Sequence, residues 1–379
     1  MHHGKLMAQY RENMSMTQEE LADELHTHVR TVQRLESKAA MRSINRRWLL
    51  VGLLGIPASQ LDLTGEPPWS KKSRLHVNND TMGFFENELA MRWEVHKVSG
   101  PRLAAQGMDM WMTQIKSFTE EAQGTPWHRR ALAVLSLSYQ LEGSILRDTM
   151  VYNQAHEAFQ NAFRVAGELE NPELIAAALL REGTVYIHQE QPLEAIKFCN
   201  GALEHIKDLG FLNLRGNILQ ARAEAYALAQ KPQDCWRSIG LAEHILGQEN
   251  QREEKSYIRF HAAYTTSSKG VYALLLHDYG RAIPLLDKGL MTYDPTSIPS
   301  HARFWSRKAE ACYGARKIDE SIEAAQKAFD LAHSVGATHV IERVQKLHTT
   351  LDQSRWRNEK GMRSLAASLA AYYEAPSNN

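Results

Sequence analysis

"TQEELADELHTHVRTVQRLE" (residues 17–36) decides how this chain begins. Thr17 is a good N-cap, and Glu20, three positions on, completes a capping box. The helix that follows puts Leu21, Ala22 and Leu25 on one face. The chain breaks near His26–His28 and restarts. Val32 and Leu35, three apart, face back onto the first helix, and Ala22 is small where the second helix must cross it. Two short helices and a tight turn make a helix-turn-helix. It lies in a first unit, residues 1–65, which "RRWLLVGLLGIPASQLDL" (46–63) continues with another helix and a short last one, Pro57 in its first turn.

Charge is distributed to match. The whole chain is neutral, with 44 basic and 44 acidic residues, so any nucleic-acid signal has to be local. Between residues 30 and 47 the basic residues are Arg30, Arg34, Lys38, Arg42, Arg46 and Arg47, and the acid is Glu36. The preceding helix is acidic instead, with Glu19, Glu20, Asp23 and Glu24. A cationic second helix fits phosphate neutralisation.

The segment resembles the phage-repressor (XRE) type of helix-turn-helix in Gln18, Leu21, Ala22, Leu25, Val32, Leu35 and Glu36. Arg11 stands where that family often has an arginine paired with the acid found here as Glu36. The turn departs from the pattern: His26 replaces the usual glycine, and Thr27 and His28 replace an apolar residue and a Ser or Thr cap. The resemblance implies that the second helix enters the major groove of double-stranded DNA. Val29, Arg30, Thr31, Gln33 and Arg34 would then face base edges, Lys38 would add to the basic surface, and Gln18 would contact phosphate.

"TGEPPWSKKSR" (64–74) has the Pro, Gly and charge of a linker, placed at residues 66–78. Helical segments follow without a strand-like alternation. Five windows share a small residue, a second small residue or Cys twelve positions later, and a third seven after that. They are Gly143/Ala155/Ala162, Gly183/Ala195/Ala202, Ala223/Cys235/Ala242, Gly270/Ala282/Gly289 and Ala309/Ser321/Ala328, spaced by 40, 40, 47 and 39 residues. Antiparallel helices approach closely only where side chains are small, and one such pair cannot bury its apolar faces alone, so copies stack. The pattern resembles tetratricopeptide repeats. Residues 80–123 read as one more divergent pair, 338–354 as a capping helix, and 356–379 as a tail with a short helix. The expected fold is all-α: a helix-turn-helix domain, then a tetratricopeptide-like α-solenoid over 79–355.

Such a solenoid has a concave face lined by the first helix of each pair. Counting from the small anchors, that face takes Gln140, Ser144, Arg147, Thr184, His188, Asn217, Gln220, Glu224, Ser267, Arg303, Ser306 and Glu310. Amide side chains can pair with a peptide backbone, and Arg147 and Arg303 are candidates for holding a carboxylate end. The combination of a repressor-type head and a repeat array resembles the RRNPP group of regulators. That resemblance implies a transcription regulator controlled by a short signalling peptide or other small ligand, acting as a homodimer. The segment "RSLAASLAAYYE" (363–374) is a candidate dimer contact or a partner of the last repeat. The alternative is an adaptor whose array docks a protein.

No phosphate loop, HExxH, GxSxG or CxxC occurs, so an enzyme is not expected, nor a cofactor. His26 and His28, with His2 and His3 loose at the terminus, do not make a metal site. Cys199, Cys235 and Cys312 fall inside apolar helical patterns and read as buried small hydrophobes. The longest apolar run, Trp48 to Ile56, is about half a membrane span. With no apolar segment in the first ten residues, the expectation is a cytoplasmic protein without membrane contact.

Overall fold

The computed structural model describes residues 2–14, 16–25, 27–64, 77–246, 248, 254–258, 260–359 and 361–374. Among these every regular element is a helix, and none is long and apolar enough to cross a membrane. The chain divides into two compact units, Met1–Leu75 and His76–Asn379. Most of the expected linker, and the turn residue His26, lie outside the described residues.

The first unit contains α1 (His3–Asn13), α2 (Gln18–Glu24), α3 (Val29–Glu36), α4 (Ile44–Leu54) and a 3-10 turn at Ala58–Leu61. The capping box forms as the sequence predicts: Glu20 N–H donates to Thr17 Oγ1 at 3.1 Å, and Thr17 N–H to Glu20 Oε2 at 2.7 Å. Leu21, Val32, Leu50, Ile56 and Leu61 are fully buried, and Ala22 lies at the α2–α3 crossing at 1% exposure. The helix ahead of the motif, α1, went unread in the sequence. Its N-terminal histidines are not loose. His2 caps the helix through Lys5 N–H, and buried His3 accepts from Met41 N–H at 3.1 Å. Gly4 has to be glycine, because a Cβ there would collide with the backbone carbonyls at the end of α3.

The second unit opens with α5 (Asn79–Ser99), α6 (Pro101–Ala104) and α7 (Met108–Glu121). Five hairpins follow: α8 (His128–Asp148) with α9 (Tyr152–Glu168), α10 (Pro172–His188) with α11 (Pro192–His205), and α12 (Leu212–Leu228) with α13 (Pro232–Ile245). Then come α14 (Ala262–Leu275) with α15 (Tyr279–Thr292) and α16 (Ile298–Gly314) with α17 (Ile318–Val335). Each hairpin contains one window of the repeat, and all fifteen anchor residues are buried. The crossings leave no spare room: a Cβ on Gly143 would press on the Phe159 ring, and one on Gly289 would overlap Ser267. The three cysteines are buried too, and burial lifts their thiols to about 12, 12 and 11, so they pack as apolar groups.

The turn inside every hairpin is the same. Met150, Glu190, Gln230, His277 and Arg316 have φ of 65°, 58°, 55°, 61° and 61°. The next residue donates its N–H to the carbonyl five positions back, at 2.8–2.9 Å in all five. This is a Schellman cap whose left-handed position is usually glycine. No glycine stands at these turns, so composition gave no sign of them.

The stack closes on itself. Among the described residues α5 contacts both α8 and α16, so it bridges the first and last hairpins. Ser297, the N-cap of α16, donates to the Lys97 carbonyl at 3.2 Å. Helix α18 (Thr338–Asp352) reaches the first hairpin, where His339 Nδ1 donates to the Asp148 carbonyl at 3.1 Å. Helix α19 (Met362–Glu374) buries Met362, Leu365 and Leu369 in the same core as α17 and α18. The segment read as a tail is thus part of the array, its apolar face covered within the chain.

Two substitutions test this geometry with opposite signs. Gly289→Ala adds one methyl where Ser267 already packs, and is expected to cost about 1–3 kcal/mol. Arg316→Gly removes a left-handed penalty of ~1–2 kcal/mol, partly offset by a floppier unfolded chain, for a net gain below ~1 kcal/mol. Chemical denaturation of the full chain checks both.

Candidate functional site

Two surfaces have functional character, one in each unit. In the first, α3 divides cleanly. Val32 and Leu35 are buried and Val29 packs against the same core. Arg30, Gln33 and Arg34 are exposed on the other side, with Lys38 just beyond the helix, and Thr31 is half-buried. Neither Arg30 nor Arg34 forms an ion pair among the described residues, so both charges are available to a polyanion. Arg42 and Arg46 are exposed as well, whereas Arg47 turns inward to donate to the Leu61 carbonyl at 2.8 Å.

A buried ion pair holds this helix. Arg11 Nε donates to Glu36 Oε1 at 2.7 Å, the two side chains only 9% and 10% exposed, and Arg11 Nη1 donates to the Met16 carbonyl at 2.8 Å. One guanidinium thereby ties α1, the α1–α2 turn and the end of α3 together. Gln18, expected at phosphate, donates one amide hydrogen to Glu36 Oε2 at 2.6 Å. Its other amide hydrogen remains for a phosphate oxygen.

In the second unit, the closed stack surrounds a cavity of ≈ 490 Å³, within the range of small-ligand pockets. Of the twelve residues expected on the concave face, Ser144, Arg147, Thr184, His188, Asn217, Gln220, Glu224 and Arg303 line it. Four do not. Gln140 is buried one layer behind and pairs with Arg181. Ser267 faces the α14–α15 contact at Gly289, leaving its neighbour Ser268 on the wall. Ser306 bonds back to the Arg303 carbonyl, and Glu310 pairs with Arg307 and Arg343. Helical spacing identified the inward helices, but these four side chains are taken up by neighbouring groups rather than by the cavity.

The wall is dense with paired charge. Arg147 grips Asp148 at 2.8 Å and donates to Thr184 at 2.9 Å, while His96 meets the other Asp148 oxygen at 3.0 Å. Burial by itself would raise the Asp148 carboxyl, but Arg147, His96 and His339 carry it well below the usual carboxylate range. Across the cavity Arg303 forks onto Glu224 at 2.6 and 2.9 Å and donates to Tyr264 at 2.7 Å. The rings of His188 and His339 lie 4.9 Å apart. Burial pushes His339 down to about 4, and burial together with His339 pushes His188 well below its ordinary value.

Several wall residues were missed in the sequence. Arg181 is 6% exposed, its guanidinium 4.5 Å above the Trp93 ring, which in turn stacks on Tyr257. A signal existed: Arg181 interrupts "LIAAALL" (174–180), an apolar run with no other reason for a charge. Trp93, Tyr257 and His339 carried none, because they lie outside the five windows and arrive only through closure.

The two depressed histidines set a pH response. Each is neutral in the folded chain where the unfolded chain takes up a proton, so stability falls as pH drops from about 6.5 towards 4. For His339 the loss is on the order of 3 kcal/mol. Denaturation midpoints at pH 7.5 and 4.5 are expected to lie closer together in His339→Asn than in the parent chain.

Comparison with known proteins covers the first unit. Residues 7–61 match the helix-turn-helix family model, a span running from the second turn of α1 to the end of the 3-10 turn. No curated protein matches the chain. The match and the free arginine face of α3 support a DNA-binding transcription regulator, its N-terminal unit a helix-turn-helix.

Proposed function

We propose that the chain is a sequence-specific regulator whose α3 reads duplex DNA and whose activity is controlled by a compact ligand in the cavity of the array. The reading rests on one observation above the others. Arg30, Gln33 and Arg34 are exposed and unencumbered while Val32, Leu35 and the Arg11–Glu36 pair fix the backbone that carries them. Arginine pairs with guanine and glutamine with adenine in the major groove. One such head makes few base contacts, so two copies of the chain would read a two-fold operator.

The ligand part of the proposal is supported by the wall itself. More than twenty polar and aromatic side chains line a space of ≈ 490 Å³. Burying that much charge and hydrogen-bonding capacity is costly unless something uses it. Closure of the stack favours a short peptide of a few residues, or a molecule of that size, over an extended chain lying along an open groove. Ligand contacts with α5, α8, α16 and α18 would bias how firmly the ring closes, and a regulator needs such a two-state element.

The test begins with selection of a cognate duplex from a random pool by the full chain. The Arg30→Ala, Arg34→Ala double variant is expected to lose affinity by about 1–3 kcal/mol per arginine and to relax preference at the bases they read, with a shallower salt dependence to the extent that they also meet phosphate. Unchanged affinity and slope would sink the reading. A pool that yields no enriched sequence would instead favour the adaptor alternative.

A further inference from the structure

The charges around the cavity are not all paired in contact. Arg147, Arg303, Arg307 and Arg343 each have a carboxylate within 4.0 Å, drawn from Asp148, Glu224 and Glu310. Arg181 has none. Its Nη1 donates to Gln140, its Nη2 to the Ser256 carbonyl at 2.7 Å, and one face lies against Trp93. Glu173, an acid that offsets part of its charge, accepts from the N–H groups of Lys255 and Ser256, so backbone stands between them. Among the described residues Arg181 is therefore the guanidinium of this group with no carboxylate in contact with it. At the mouth, Lys97 sits between Glu94 and Asp294, but these two carboxylates are open to water and screened.

A second polar group on the same wall is incomplete. Gln220 is 3% exposed, and its Nε2 donates to Thr265 Oγ1 at 2.8 Å. That hydroxyl gives its own hydrogen to the His261 carbonyl at 3.0 Å, so it must accept from Gln220, and this fixes which way the amide points. Gln220 Oε1 is then a buried acceptor with no donor. An uncompensated cation asks for an anion, and a bare carbonyl oxygen asks for an N–H or O–H.

We propose that the ligand is a small carboxylic acid carrying an N–H donor, such as a free amino acid or a very short peptide with a free C-terminus, anchored by Arg181 and Gln220. This rests on the cavity being the ligand site. It moves the carboxylate anchor away from Arg147 and Arg303, whose charges Asp148 and Glu224 already neutralise. One guanidinium without a carboxylate suits a monoanion. A phosphate dianion would bring acceptor oxygens against Gln220 Oε1 and a second charge with no counterpart.

The experiment uses the full chain, with mixed-sequence di- and tripeptides and the free amino acids as probes, each supplied as the free acid and as the C-terminal amide. Calorimetry and thermal shift read the binding. The free acids are expected to bind at least about tenfold more tightly than the amides, the ratio for a lost charge-assisted hydrogen bond. Gln220→Leu, which removes the acceptor, is expected to lower free-acid affinity by a similar factor, while Arg181→Lys keeps part of it. Arg181 also holds Ser256, so its variants can unfold, but the acid–amide comparison needs no variant. Equal binding of acids and amides overturns the acid proposal and leaves the cavity a ligand site. Binding of neither overturns both.

Discussion

Close approach between paired helices is the constraint on which the array depends. Glycine, alanine, serine or cysteine stands at each crossing, and at Gly143, Gly270 and Gly289 even an added Cβ would collide with the facing helix. Because each crossing brings two backbones together, each hairpin becomes a thin wedge with an apolar face on both sides. Five wedges stacked with a consistent turn curve until α5 and α18 meet the opposite end. The cavity follows from that curvature: it is the space the first helices of the pairs enclose. Loosening one crossing would therefore alter the cavity as well as the local core.

Arginine serves two opposite purposes in the molecule, and solvent decides which. On α3, Arg30 and Arg34 are hydrated, and their attraction to phosphate acts over a Debye length and weakens with salt. Around the cavity, Arg147, Arg303 and Arg181 are largely out of water, where an unpaired charge is costly and its interaction with a partner is strong. Burial illustrates the strength of that effect by pushing Arg181 down to about 9. Arg11 belongs to neither group. It is spent on Glu36, converting charge into the rigidity that presents α3.

Much of the site was legible before any coordinates. The capping box at Thr17, the crossing at Ala22 and the pairing of Arg11 with Glu36 are local or motif-borne, so short stretches of sequence encode them. Eight concave-face residues were reachable because helical periodicity fixes which face of α8, α10, α12 and α16 points inward once the small anchors are placed. Ser267 and Ser268 show the limit of this reasoning. One residue is 100° of helix rotation, enough to exchange a wall position for a packing position.

The sequence by itself determined the parts: an all-helical chain, a repressor-like head with a basic second helix, and five small-residue hairpins in register. These depend on capping, periodicity and side-chain size within one or two helices. Only the tertiary structure decided that the stack closes, that Trp93, Tyr257 and His339 join the wall, and that Arg181 rather than Arg147 or Arg303 has no acid in contact among the described residues. Those outcomes accumulate from small rotations between successive pairs and bring together residues as far apart as Lys97 and Ser297. No local pattern encodes a sum of that kind.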